Sequence, residues 1–359
     1  MIIVMKQNAP DSAIEHVIRR VEAAGLRTHV SRGAVRTIIG CIGDEQVIAQ
    51  IPFIAMPFVE KVMPVLSPYK IASREFHPED TVVTVGNVKI GGGTLTLMAG
   101  PCAVESRESL MGSARGVRDA GAHILRGGAF KPRTSPYDFQ GLGEEGLKLL
   151  REAGMALGMP TITEVRTLAH VPVASKYADI LQIGARNMQN FDLLREVGQA
   201  RKPVMLKRGM ANTVHEMLMA AEYILSEGNP DVMLCERGVR TFETATRFTL
   251  DVAAVPTVKQ SSHLPVLVDP SHAAGKSYLV PALARAGIAA GADGVIVEVH
   301  VAPEEALCDG QQALTPSEFA ALAAELRAIH EVLRRLAGEG GGSSNGRCRD
   351  RDAACRGGA

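Results

Sequence analysis

The sequence predicts an α/β protein, a (β/α)8 TIM barrel preceded by a small ferredoxin-like α+β domain. Two patterns predict it. From about residue 95 to residue 336, short apolar runs alternate with stretches of helical spacing, as parallel βαβ units require. About eight such units fit, the number that closes a barrel. The end of each predicted barrel strand is also polar, and a barrel keeps its active site at that end.

Residues 1–66 read as the small domain. A strand at 2–5 leads to Asp11-Ser12, which caps a helix with Ile14, Val17, Ile18, Val21 and Ala24 at helical spacing; Gly25 ends it. Strands at 27–31 and 35–41 turn around Arg32-Gly33, and a short helix near 45–50 and a strand at 59–65 complete βαββαβ. No catalytic constellation lies here, so a packing or oligomerisation module and a ligand sensor both stay open.

Residues 67–94 form a linker and a ribbon, with strands at 82–85 and 88–90 turning at Gly86-Asn87. The catalytic barrel spans 95–336. Its strands are placed at 95–99, 123–126, 160–164, 180–183, 204–207, 232–235, 266–269 and 294–299. Helices are placed at 107–120, 144–157, 191–200, 214–227, 244–255, 278–290 and 316–336. A doubly wound open sheet competes, but no GxGxxG follows a first strand. The tail at 337–359 is rich in Gly, Ser and Arg without apolar periodicity and is expected to be disordered.

The 359 residues suffice for one large barrel and a small extra domain. Net charge is +0, so no global field favours nucleic acid or an anionic membrane, and any anionic ligand must be held by a local cluster of Arg and Lys. The cysteines Cys41, Cys102, Cys235, Cys308, Cys348 and Cys355 form no CxxC pair. No secretory signal and no apolar run of about 20 residues is present. A soluble, cytoplasmic protein with reduced thiols is expected.

Two groups of strand-end residues carry chemistry. Arg126, Lys131, Arg133, Arg186, Lys207 and Arg237 are cations that would repel one another in one cavity unless an anion were bound. They suit a pocket for at least two phosphates and a carboxylate, or else each pairs with a neighbouring acid. Cys102, His272, Glu298 and Asp309 form a mixed S/N/O set suited to a divalent transition metal, or else are a buried filler, a helix cap and two ordinary acids.

These residues carry a family resemblance. The segments Ala99-Gly100-Pro101-Cys102, Leu125 to Pro136, Ile183-Gly184-Ala185-Arg186-Asn187, Leu234-Cys235-Glu236-Arg237-Gly238 and Val268-Asp269-Pro270-Ser271-His272 resemble those of the 3-deoxy-D-arabino-heptulosonate 7-phosphate (DAHP) synthases. The type I-beta group, with its N-terminal ferredoxin-like domain, is the nearest pattern, and the likeness runs from Met1 to Leu336.

That resemblance implies metal ligation by Cys102, His272, Glu298 and Asp309, with manganese the expected ion and iron, cobalt or zinc as alternatives. It implies that Arg126, Lys131, Ala185, Arg186, Lys207 and Arg237 bind phosphoenolpyruvate, that Arg133 and Thr134 hold the phosphate of erythrose 4-phosphate, and that Glu164 and Gln182 lie near the reacting carbons. Lys131, His272, Glu164 and Lys207 are the implied catalytic residues. It further implies a homotetramer and a tyrosine or phenylalanine effector met by His29 and Ser31. The Lys-Pro-Arg-Thr segment favours erythrose 4-phosphate over the arabinose 5-phosphate of the related octulosonate synthases. A Schiff-base aldolase using Lys207 and a non-catalytic amino-acid-binding regulator are the readings from other classes. One departure is Cys308, where this group leads one to expect serine; a second thiol beside Cys102 is expected to form a disulfide when the metal is absent.

Overall fold

The computed structural model describes residues 1–33, 36–43, 48, 51–63, 69–131, 135 and 137–340. Strands β1 (Ile2–Met5), β2 (Arg27–Arg32), β3 (Thr37–Ile42) and β4 (Val59–Met63) form an antiparallel sheet in the order β2-β3-β1-β4, with helix α1 (Asp11–Glu22) between β1 and β2. This is the ferredoxin-like order expected. The period of two explains why β1 is buried on both faces. Ile3 and Met5 pack with Ile14, Val17 and Val21 of α1, while Ile2 and Val4 pack with Ile71, Ala72 and Phe76 of the linker. Apart from Ile48, the helix expected near 45–50 lies outside the described residues.

The ribbon β5 (Val83–Val85) and β6 (Val88–Ile90) precedes the barrel. Strands β7 (Thr96–Gly100), β8 (Ile124–Arg126), β9 (Thr161–Val165), β10 (Ile180–Ile183), β11 (Val204–Lys207), β12 (Val232–Glu236), β13 (Val266–Val268) and β14 (Gly294–Glu298) pair in parallel and close where β14 meets β7. Alternation again sorts the side chains. Met98, Ile124, Ile162, Ile180, Met205, Met233, Leu267 and Ile296 fill the interior together with Val83, Val85 and Ile90, so the ribbon plugs one end. Their neighbours Leu97, Leu125, Leu181, Leu206, Leu234, Val268 and Val297 face outward, into the core shared with the helices.

Those helices are α2 (Arg107–Asp119), α3 (Glu144–Leu157), α4 (His170–Tyr177), α5 (Phe191–Gln199), α6 (Val214–Ser226), α7 (Ala254–Ser261), α8 (Pro270–Ala274), α9 (Val280–Ala289) and α10 (Pro316–Gly340). Four differ from expectation. Helices α4 and α8 were not anticipated. Helix α10 continues to Gly340, past the expected end at Leu336; residues 341–359, with Cys348 and Cys355, lie outside the described residues. The helix expected over 244–255 is absent, and α7 begins only at Ala254. The loop before it satisfies its backbone elsewhere: Arg247 and Phe248 donate to the carbonyls of Ala274 and Ala273, and Val239 pairs with Thr249.

Candidate active site

The polar residues at the barrel mouth follow from strand register. Inward-facing residues recur every second position, so each lies two or four residues beyond an interior apolar one. Ile124 leads to Arg126, Ile162 to Glu164, Ile180 to Gln182, Met205 to Lys207, Leu267 to Asp269 and Ile296 to Glu298. Met98 leads through Gly100 to Cys102, and Met233 through Cys235 to Arg237. Gly100 has φ +148°, and a Cβ there would lie 2.2 Å from the Arg126 carbonyl oxygen, so the chain needs glycine where it turns into the site.

These residues surround a cavity of about 410 Å³ lined by Lys131, Glu164, Ala185, Arg186, Lys207, Arg237, His272 and Asp309, among others. Arg126, Gln182, Cys102 and Glu298 are buried behind its lining. Arg133 and Thr134 lie outside the described residues.

The cations are less isolated than the sequence suggested. Arg126 donates to Glu298 Oε1 at 2.9 Å, and Lys207 pairs with Asp269. Lys131 Nζ lies 3.0 Å from both the sulfur and the carbonyl oxygen of Cys102. Burial works against the Lys131 charge, but the thiols of Cys102 and Cys308 and the carboxylate of Glu298 outweigh it and hold the ammonium above the usual lysine range. Among the described residues Arg186 makes no salt bridge. Arg237 stacks over the Phe248 ring, 4.2 Å from its centroid, and its buried Nη1 has no hydrogen-bond partner. A buried N–H left open beside a cavity suits an anion.

The four predicted metal ligands fall into two overlapping groups. Ligand atoms of Cys102, Cys308 and Asp309 all lie within 4.8 Å of one another, as do those of His272, Glu298 and Asp309. Asp309 is common to both. Its Oδ2 lies 3.3 Å from the Cys102 sulfur, and His272 Nε2 lies 3.4 Å from Glu298 Oε1. A sulfur, nitrogen and oxygen donor set of this kind fits a divalent transition ion.

The protonation states agree. Burial pushes His272 down, toward the neutral ring that can ligate, while Asp269 Oδ2 lies 2.7 Å from Nδ1 without hydrogen-bond alignment. Burial opposes ionisation of Asp309, yet His272, Arg247 and the Cys102 hydrogen bond bring it to about 2. Glu298 is also buried, and His272 and Arg126 hold it below the ordinary range.

Several residues at the site were not singled out from sequence. Asp269 links Lys207 to His272. Arg166 donates to the Lys131 carbonyl at 2.7 Å, and His170 of α4 stacks on Phe130 at 3.8 Å, which together steady the loop that carries Lys131. Both had a signal, the inward register: Asp269 lies two residues beyond Leu267, and Arg166 four beyond Ile162.

A basic cavity at the C-terminal mouth of an α/β barrel, with a soft-and-hard donor cluster in its wall, places the protein in the class of barrel enzymes that act on small anionic molecules. Comparison with known proteins narrows the class. Residues 72–335 match the model of the DAHP synthetase I family, and residues 1–67 match that of the DAHP synthase ferredoxin-like domain. The chain belongs to the DAHP synthetase I family. A phospho-2-dehydro-3-deoxyheptonate aldolase of Thermotoga maritima is 52% identical over 333 residues, covering 93% of this chain and 98% of that protein. The crystal structure of the Thermotoga maritima DAHP synthase has a TM-score of 0.73 at 51% identity, covering 92% of this chain and 97% of its own. A 2-dehydro-3-deoxyphosphooctonate aldolase of Geobacter sulfurreducens is 32% identical over 271 residues, covering 70% of this chain and 98% of that relative. The weaker likeness and the matched ferredoxin-like domain disfavour the octulosonate alternative. The chain's activity is DAHP synthesis, the first step of the shikimate pathway.

Proposed function

We propose that phosphoenolpyruvate and D-erythrose 4-phosphate condense in the 410 Å³ cavity with a divalent metal held by Cys102, His272, Glu298 and Asp309. The observation that carries this reading is the meeting of the sulfur group and the histidine–carboxylate group at Asp309. A bound ion, manganese by kinship and iron, cobalt or zinc as alternatives, supplies Lewis acidity toward the aldehyde oxygen.

The side chains do the rest. Arg126, Lys131, Arg186, Lys207 and Arg237 bind the phosphate and carboxylate of phosphoenolpyruvate beside Ala185 and Gln182, and the open N–H of Arg237 supports that assignment. Arg133 and Thr134 hold the aldose phosphate. Carbon 3 of phosphoenolpyruvate attacks the aldehyde carbon, water adds at carbon 2, and phosphate leaves as the hemiketal phosphate collapses. Lys131, His272 and Glu164 line the cavity and are the groups placed to move protons. Arg186 and Arg237 stabilise charge on the departing phosphate. Lys207, ion-paired with Asp269, acts as an anion-binding cation, not as a Schiff-base nucleophile.

Phosphate release from phosphoenolpyruvate tests the reading. Release should require erythrose 4-phosphate, stop with EDTA and return with added metal. Release with arabinose 5-phosphate instead, or release indifferent to EDTA, overturns it.

The reading extends to the small domain. A tyrosine or phenylalanine effector would dock against β2, where Ser31 lines a cavity of about 300 Å³ with Arg36, His77 and Glu79, and where the His29 ring lies 5.2 Å from that of Phe76. Inhibition that survives deletion of residues 1–66 removes this role. A homotetramer in the cytoplasm accompanies the proposal. The exposed rings of Tyr137 and Phe242 are compatible with assembly, and no described helix is long and apolar enough to cross a membrane. Native mass measurement checks the oligomer.

A further inference from the structure

Arg247 and Phe248 are consecutive residues of the loop between β12 and α7, and they reach opposite halves of the site. Phe248 lies beneath the Arg237 guanidinium. Arg247 Nη1 lies 3.2 Å from Gln312 Oε1 and 3.4 Å from Asp309 Oδ1. Backbone bonds to Ala274 and Ala273, 3.0 and 2.9 Å long, hold the two residues in place.

Gln312 is fully buried. Its side-chain nitrogen donates to Glu298 Oε2 at 2.7 Å, and its backbone N–H donates to the Asp309 carbonyl at 3.1 Å. The side-chain amide therefore presents its donor end to a carboxylate and its acceptor end to a guanidinium. A glutamate in its place would set two carboxylates against each other. One oxygen of each acid is thus engaged from outside, Glu298 Oε2 by Gln312 and Asp309 Oδ1 by Arg247. The remaining oxygens turn inward. Glu298 Oε1 faces Arg126 at 2.9 Å and His272 Nε2 at 3.4 Å, and Asp309 Oδ2 faces the sulfurs of Cys102 at 3.3 Å and Cys308 at 3.6 Å.

We propose that Gln312 and Arg247 are positioning residues that fix Glu298 and Asp309 so that each offers a single oxygen to the metal. The inference rests on the metal reading above. Partners that orient ligating groups raise metal affinity by about 10–100-fold, because the ligands need not be ordered when the ion arrives.

The test is titration of the chelator-treated full-length protein with cobalt(II), followed by the thiolate-to-cobalt absorption band. The wild type should take up one equivalent. Gln312→Met, which keeps the volume and loses both side-chain bonds, and Arg247→Met should bind cobalt about 10–100-fold more weakly. The KM for phosphoenolpyruvate should stay unchanged, and Arg247→Lys should recover part of the loss in affinity. Arg247 has a side chain 35% exposed, so its variants carry the test if Gln312→Met fails to fold. If the wild type shows the band and the folded variants bind as tightly, the positioning role falls and the metal reading stands. If the wild type shows no band, the metal reading falls and takes the positioning role with it.

Discussion

The sulfurs of Cys102 and Cys308 lie 3.2 Å apart, both buried, with Lys131 Nζ 3.0 Å from Cys102. A disulfide needs the two atoms to close to about 2.05 Å, a small movement for two side chains already in contact. Exposure of the metal-free protein to hydrogen peroxide should therefore convert the two thiols to one disulfide, with peroxide reduced to water. The activity regained on adding metal and two titratable thiols per chain should disappear together, and dithiothreitol should restore both. Metal should protect by occupying Cys102. A Cys308→Ser variant that inactivates as fast and as reversibly refutes the pairing.

Asp269 has no exposed surface and faces both Lys207 and His272. Burial alone would raise its pKa, yet the adjacent His272, whose backbone N–H donates to Oδ1 at 2.9 Å, and the Lys207 ammonium hold it well below the usual carboxylate range. Asp269→Asn would leave the Lys207 ammonium buried without a counter-charge, at a cost of about 3–5 kcal/mol in folding stability. It should also lower kcat/KM on the order of 10²-fold, because Lys207 and His272 lose their common anchor. Denaturant melts and steady-state rates measure the two effects. A variant as stable and as active as the wild type would show that the pair does not depend on Asp269.

How much of this site the sequence disclosed depended on where each residue sits. Lys207 and Glu298 end strands, and Gln182 lies one residue from the end of another, whose interior positions are apolar, so a period of two points directly at them. Asp309 lies in the loop after β14 with a left-handed φ of +54°, and no periodicity points at it; it joined the S/N/O set by residue type alone, and the family resemblance then favoured the metal reading over an ordinary loop acid. Arg247 was hidden by a false helix, since the 244–255 stretch has helical spacing but bonds its backbone to the end of α8. Helix α4 was missed because it is short, contains a proline, and buries only Val171 and Ala174. Pairing among the cations was also illegible, since the acids that neutralise Arg126 and Lys207 come from distant strands.

The linker on which Ile2 and Val4 of the small domain pack is tied to the barrel through Glu222 of α6. Its carboxylate accepts the backbone N–H groups of Lys70 at 3.0 Å, Ile71 at 2.8 Å and Ala72 at 2.8 Å. Glu222→Ala leaves these donors without that acceptor, at a cost of about 1–3 kcal/mol for each group kept from water. Amide hydrogen exchange should show residues 70–72 losing protection while β11, in the barrel wall, keeps it. Unchanged protection at 70–72 would mean that packing of Ile71 and Ala72, rather than the carboxylate, holds the linker.

His263 makes the same junction sensitive to acid. Its Nε2–H donates to the Ile71 carbonyl at 2.8 Å, and the Thr81 hydroxyl, 2.6 Å from Nδ1, can donate to the neutral ring. Burial lowers its pKa from 6.5 to about 4; the Ile71 bond opposes that shift, and the nearby His77, Arg74 and His29 add to it. The folded state rejects a proton that the unfolded chain accepts, so the stabilisation is complete above pH 6.5 and is lost as pH falls toward 4. At pH 5 the loss is about 2 kcal/mol relative to neutrality. Thermal unfolding at pH 7 and pH 5 should show a gap that His263→Gln narrows, because glutamine can make comparable bonds without titrating. If the variant and the wild type lose the same stability between the two pH values, the acid sensitivity resides in other groups.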